Sequence, residues 1–254
     1  MKKLFFILIF CAPSLWSSAP LHVGMELSYP PFEMVCNDGR PCGISVDITF
    51  ALGEFIDRPV QVDNISFVGL IPSLKNRSID LIISSLTITE ERKKAVDFSD
   101  PYATTGLCLL LNIKSKVNEI QDVNKLGAVV VVKSGSSGEV YARRYFAQAT
   151  VRVLDKEAMC VLEVIQGKAD AFIYDQISVY TNWQKNQKTT RANLIPFQKE
   201  NWAIAIRKNN EELLNKINDF IKKFREEGGF DKLADKYLPE QKQAFKQMGV
   251  PFVF

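Results

Sequence analysis

Histidine is almost missing: the 254-residue chain contains one, His22. That excludes a histidine-rich metal site and argues against a Ser–His–Asp triad. The five cysteines include no C-x-x-C pair, so zinc-ribbon and thioredoxin-like chemistry have no support. Neither Ser-x-x-Lys nor His-Glu-x-x-His occurs. An excess of one charge is missing too. The chain has 32 Lys and Arg against 29 Asp and Glu, and two of the 32, Lys2 and Lys3, stand in an acid-free stretch over residues 1–19. The remainder is near neutral, which argues against nucleic acid as the partner. Beyond residue 19 no run approaches the 18 apolar residues of a membrane span. Low-complexity segments and short repeats are lacking. What is there is 46% hydrophobic and 24% charged, an ordinary globular composition.

The first nineteen residues read as an export signal: a basic start, an apolar run from Leu4 to Pro13, and small residues at Ser17, Ser18 and Ala19. Cleavage is expected near Ala19. A lipid anchor on Cys11 is not expected, because Phe10 stands where a small residue would be needed. Export places Cys36 and Cys42 in an oxidising compartment. They flank Asn37-Asp38-Gly39-Arg40, a hairpin-turn signal, and would face each other across it. The choice is between a disulfide and two free thiols. Cys108 and Cys160 lie in apolar runs and read as buried thiols.

Short apolar strands alternate with amphipathic helices, the pattern of α/β sheets. Strands are expected at 21–24, 61–65, 80–84, 107–111, 128–132, 151–154, 170–174, 194–197 and 202–206, with a hairpin over 32–35 and 41–44. Helices are expected at 45–56, 69–74, from Thr89 as N-cap, at 139–149, 156–166, 175–184 and 211–227, the last stopped by Gly228-Gly229. The tail from Glu240 could pack back or form a contact patch. Two successive α/β units suggest two lobes with a ligand cleft between them.

Several ordered segments carry a resemblance. They are Val23-Gly24-Met25-Glu26-Leu27-Ser28-Tyr29-Pro30-Pro31-Phe32; Gly43-Ile44-Ser45-Val46-Asp47; Phe67-Val68-Gly69-Leu70-Ile71-Pro72-Ser73-Leu74; Asp80-Leu81-Ile82-Ile83-Ser84-Ser85-Leu86-Thr87-Ile88-Thr89-Glu90-Glu91-Arg92; and Phe98-Ser99-Asp100-Pro101-Tyr102. The series resembles the extracellular solute-binding protein family 3, the polar amino-acid binding proteins of ABC importers. The resemblance implies a type II periplasmic binding protein fold, with lobe one at 20–103 and 201–254 and lobe two at 104–200. The crossings would fall near Tyr102–Gly106 and Glu200–Trp202. It also implies a periplasmic monomer that needs no cofactor and hands its ligand to a membrane permease.

A free amino acid is a zwitterion, so its carboxylate needs a forked cation and its ammonium an acid. An arginine in a charged helix turn is ordinarily solvated; by resemblance Arg92 takes the α-carboxylate. Ser84, Ser85 and Thr87 would hold both ends of the zwitterion. Asp175, which reads equally as a helix N-cap, would receive the α-ammonium. The loop Lys133-Ser134-Gly135-Ser136-Ser137-Gly138 opens a helix, where backbone N–H groups favour an anion; Ser137 and Gly138 would donate to the carboxylate, though a plain Gly/Ser turn reads similarly. Tyr29 and Phe67 would sandwich the ligand side chain. An acid at Glu26 suits Lys, Arg or an amide, and Lys133 opposes a cation. Together they favour glutamine, with arginine, lysine, ornithine or histidine next. Two other readings use the same fold: a periplasmic cyclohexadienyl-type dehydratase, with Glu26 or Asp175 as its acid, and a ligand-sensing module. The pairing of an ammonium-binding acid with a carboxylate-binding arginine favours a non-catalytic binder.

Overall fold

The computed structural model describes residues 19–254. The expected signal segment up to Ser18, with Cys11, lies outside the described residues. Among the described residues no helix is long and apolar enough to cross a membrane.

The chain opens with β1 (Leu21–Met25), then a small hairpin sheet of β2 (Ser28–Tyr29), β3 (Glu33–Val35) and β4 (Pro41–Cys42). A disulfide joins Cys36 to Cys42 across the turn, so the first of the two alternatives holds. There follow α1 (Ile44–Phe55), β5 (Val60–Asn64), α2 (Phe67–Lys75), β6 (Leu81–Ile82), α3 (Glu90–Ala95) and β7 (Asp97–Phe98). Thr89 caps α3 as expected, its hydroxyl accepting from the Arg92 N–H. The next stretch is β8 (Ala103–Asn112), α4 (Ile120–Val123), β9 (Val129–Lys133), α5 (Ser137–Tyr145), β10 (Thr150–Leu154), α6 (Glu157–Ile165), β11 (Ala171–Asp175), α7 (Gln176–Lys185) and β12 (Thr190–Trp202). The chain closes with β13 (Ala205–Ile206), α8 (Glu211–Glu226), α9 (Gly229–Tyr237) and α10 (Pro239–Met248).

Two five-stranded sheets result, ordered β5-β1-β6-β13-β7 and β10-β9-β11-β8-β12. The chain passes from the first to the second through β8 and returns through β12, and these two pair antiparallel from Asn112↔Thr190 to Ala103↔Trp202. The central strands β8, β9 and β11 of the second sheet are covered on both faces, which is why they read as largely apolar runs. Period-two alternation sends Leu107, Leu109 and Leu111 of β8 into one core and Cys108 and Leu110 into the other. Val130 and Val132 of β9 divide from Val131 in the same way. Cys108 and Cys160 are buried thiols.

Two expectations need correction, and the choice left open for the tail is settled. The helix expected at 139–149 is α5 and starts at Ser137, because Ser136 caps it by accepting from the Glu139 N–H. The strand expected at 194–197 and the start of the next are one long β12, whose register slips between Asn193 and Gln198. The tail forms α10, and Phe245 and Val253 are buried in the core of the first sheet, so it packs back rather than standing as a patch. Gly228 does stop α8, in a left-handed conformation at φ 70° that a glycine adopts without strain.

Candidate functional site

Parallel strands place their carboxyl ends side by side, and ligands of such sheets gather there. In the first sheet β1 runs parallel to β6, so Glu26, just past β1, lies beside Ser84 and Ser85, just past β6. In the second sheet β9 runs parallel to β11, and their last residues are Lys133 and Asp175. These ends face one cleft with about 430 Å³ of space free of protein atoms, part of it open to solvent. Ten of the eleven residues expected from the sequence line it: Glu26, Tyr29, Phe67, Ser84, Ser85, Thr87 and Arg92 from one side, and Lys133, Ser137 and Asp175 from the other. Gly138 is the exception. It follows Ser137 in α5 and backs onto β11, where a Cβ would stand 2.9 Å from the Ile173 carbonyl oxygen.

Arg92 reaches between the two sides. Nη1 donates to the Thr87 carbonyl at 2.6 Å and Nη2 to the Gly135 carbonyl at 2.9 Å. Two carbonyls occupy two of the five guanidinium N–H groups, so the fork has others to give. Burial lowers its pKa to about 10, against the opposing pull of Glu200, so it is a cation at neutral pH. Its Cζ lies 5.5 Å from the centre of the Phe67 ring, and the Lys133 ammonium lies 4.6 Å from the same centre.

Asp175 ends β11 and caps α7, Oδ1 accepting from the Ser178 N–H at 3.1 Å. Oδ2 accepts from the Tyr29 hydroxyl, a contact between the two sides of the cleft. Burial raises the Asp175 pKa, and the Tyr29 hydrogen bond works the other way. The Tyr29 ring stacks on Phe32 at 5.2 Å and meets Tyr174 and Trp202 edge-on. Lys133 and Glu26 form an ion pair across the cleft, with side chains only 4% and 12% exposed. The sequence reading named both residues as separate ligand contacts; in the structure they meet each other.

Sequence reasoning missed three acids, Glu33 and Glu200 buried and Glu157 half-buried. Glu33 takes the hydroxyls of Ser45 at 2.7 Å and of Ser84 and Ser85 at 3.1 Å, while Ser84 Oγ accepts from the Glu26 N–H. It anchors the strand-end turn in which Ser85 holds a left-handed φ of 49°. Burial pushes the Glu33 carboxyl up to about 8, against the three hydroxyls. Glu157, behind Asp175, accepts from Ser178 and Asn182 and is pushed up to about 7, chiefly by burial. Glu200, on β12, accepts from Thr87 and Ser137. The available signal was an acid inside an otherwise apolar hairpin strand for Glu33; Glu157 reads as an ordinary first-turn helix acid and Glu200 sits among polar neighbours, so neither gave one.

The arrangement offers a forked cation and an acid from opposite sides of one cleft, lined by hydroxyls and aromatic faces. Comparisons with known proteins identify the family. Residues 21–240 match the family described as bacterial extracellular solute-binding proteins, family 3. The L-arginine-binding protein of Pseudomonas aeruginosa is 31% identical over 235 residues, covering 89% of this chain and 90% of that protein. The glutamine-binding protein of an ABC transporter in Bacillus subtilis is 31% identical over 209 residues, 80% of this chain and 75% of that one. A crystal structure of an ancestral amino acid-binding protein, a precursor of cyclohexadienyl dehydratase, superposes with a TM-score of 0.79 at 33% identity, covering 86% of this chain and 95% of that one. The two sheets joined by β8 and β12 are the type II periplasmic binding protein fold, and the chain belongs to the bacterial extracellular solute-binding proteins, family 3.

Proposed function

We propose that this protein captures a free polar amino acid in the cleft and delivers it to the membrane permease of an ABC importer, without converting it. The observation that carries the reading is the placement of Arg92 and Asp175 on opposite walls of one cleft. A zwitterion spans them only when the walls are close, so recognition of both charges is coupled to closure. Each charge-assisted hydrogen bond contributes roughly 1.5–3 kcal/mol. A handful, less ordering costs, supplies the roughly 8 kcal/mol of a micromolar site. The lobes are taken as 20–103 with 201–254, and 104–200, in keeping with the division of the sheets. The protein is taken to work as a periplasmic monomer after cleavage near Ala19.

Glutamine is the favoured ligand. Its amide oxygen can accept from the Lys133 ammonium while its amide N–H donates to Glu26, so one neutral side chain inserts into the ion pair. A cationic side chain meets Lys133 and an anionic one meets Glu26, each at the cost of like-charge repulsion. The test is a thermal-shift screen of ligand-stripped protein against the twenty amino acids, ornithine and citrulline, since a ligand of the folded state raises the melting temperature. The largest shift is expected with glutamine. A larger shift with arginine or lysine would overturn the glutamine assignment and leave amino-acid capture standing. No shift with any of them would overturn capture, and prephenate-like acids would be tried next. Lys133→Ala should weaken glutamine at least ten-fold and strengthen arginine, because Glu26 is then free to meet a cation; equal losses for both would remove the reason for preferring glutamine.

A further inference from the structure

Glu200 has no part in the reading above, yet it sits where the two walls meet. It lies on the returning strand β12, paired in the ladder with Thr105 of β8, and is 4% exposed. A single oxygen, Oε2, accepts the Thr87 hydroxyl at 3.1 Å and the Ser137 hydroxyl at 3.0 Å. Thr87 follows β6 of the first sheet, and Ser137 opens α5 beside the second. The other oxygen accepts from the Gln198 amide at 3.3 Å. Burial raises the Glu200 pKa, and the two hydroxyls and Arg92, the charged side chain that faces it, work the other way. Both hydroxyls can reach one oxygen only when the walls stand as they do here. They belong to two of the residues expected to hold the ligand, Ser137 at its carboxylate and Thr87 among those at both its ends, and Arg92 also donates to the Thr87 carbonyl.

We infer that Glu200 is a positioning residue: its carboxylate gathers one hydroxyl from each wall and so sets the two halves of the carboxylate-binding site in register as the cleft closes. What the clasp serves rests on the amino-acid reading; the clasp itself rests on the three side chains alone. Glu200 does not bind the ligand on this account. Its loss acts through Thr87 and Ser137.

The test pairs calorimetric titration with small-angle scattering of stripped and ligand-saturated protein, using glutamine or arginine, whichever gives the larger thermal shift. Glu200→Leu removes the acceptor. It should weaken binding at least ten-fold and raise the radius of gyration of the stripped protein. Glu200→Gln keeps an oxygen that can accept both hydroxyls, and Gln198 can turn its own amide to suit; it should bind within about three-fold of wild type. A merely structural role would not be rescued in this way. Thr87→Val and Ser137→Ala should each cost about as much as the two combined, because either one breaks the clasp. Wild-type affinity and radius in Glu200→Leu would overturn the inference. So would a Gln variant as damaged as Leu, or additive losses for Thr87→Val and Ser137→Ala. If Glu200→Leu does not fold, the additivity of the hydroxyl variants decides alone. If the wild-type protein binds no amino acid, the functional reading fails separately, and the radius of the stripped variants decides: an increase supports the clasp and no change overturns it.

Discussion

Arg92→Ala should abolish measurable amino-acid binding, raising Kd at least a hundred-fold. The guanidinium is buried beside Phe67, remains charged at neutral pH, and holds carbonyls on both walls of the cleft. Alanine removes the cation that would meet the ligand carboxylate, leaving that anion desolvated and unpaired. Losing one partner of a buried charge pair costs roughly 2–5 kcal/mol or more, and each 1.4 kcal/mol is a factor of ten. The Thr87 and Gly135 carbonyls lose their donor as well, which loosens the contact between the walls. Arg92→Lys should recover little, since a point charge cannot fork between a carboxylate and two carbonyls. Calorimetric titration measures the loss, and circular dichroism checks that the variants remain folded. Affinity within ten-fold of wild type in Arg92→Ala would remove the carboxylate assignment.

Asp175 should show an effect of similar size that divides in an informative way. Its two oxygens serve different neighbours, the Ser178 N–H that begins α7 and the Tyr29 hydroxyl across the cleft. Asp175→Asn keeps an acceptor for the helix end but removes the charge. It should lose about a hundred-fold in affinity with a melting temperature close to wild type. Asp175→Ala loses the cap too and should also lose about 1 kcal/mol of stability. Acidification should mimic the Asn variant. Binding needs the ionised carboxylate, and burial raises its pKa, so affinity should fall on acidification at a higher pH than for an exposed aspartate. Retained affinity in Asp175→Asn would show that Asp175 is only a helix cap.

Much of the site was legible through the family resemblance, and the strand ends show physically why those segments meet. An apolar run broken by Ser84-Ser85, by Lys133-Ser134-Gly135 or by Asp175 marks the carboxyl end of a buried strand, and parallel neighbours bring those ends together. The alternating burial of β8 and β9 follows from strand geometry, in which successive side chains point to opposite faces. The unread features depend on contacts between distant segments. Lys199-Glu200-Asn201 has the polarity of a surface loop, yet Glu200 is buried because hydroxyls 113 and 63 residues away in sequence satisfy it. Glu26 and Lys133 were legible singly, but their pairing spans 107 residues. The full extent of β12 was hidden by Pro196 and by the register slip beside it, which interrupt the apolar pattern. In α10 the buried residue is Phe245, which meets Tyr180 of α7 and Phe252 of the tail, contacts that its local sequence does not show.

The central claim is that one cleft reads both ends of a zwitterion, and blocked ligands test it most directly. Stripped protein would be titrated with the amino acid giving the largest thermal shift, then with its N-acetyl derivative and its carboxamide. The account predicts tight binding of the parent and at least a hundred-fold loss for each blocked form, because one lacks the ammonium for Asp175 and the other the carboxylate for Arg92. Binding of either blocked form as tightly as the parent would contradict it.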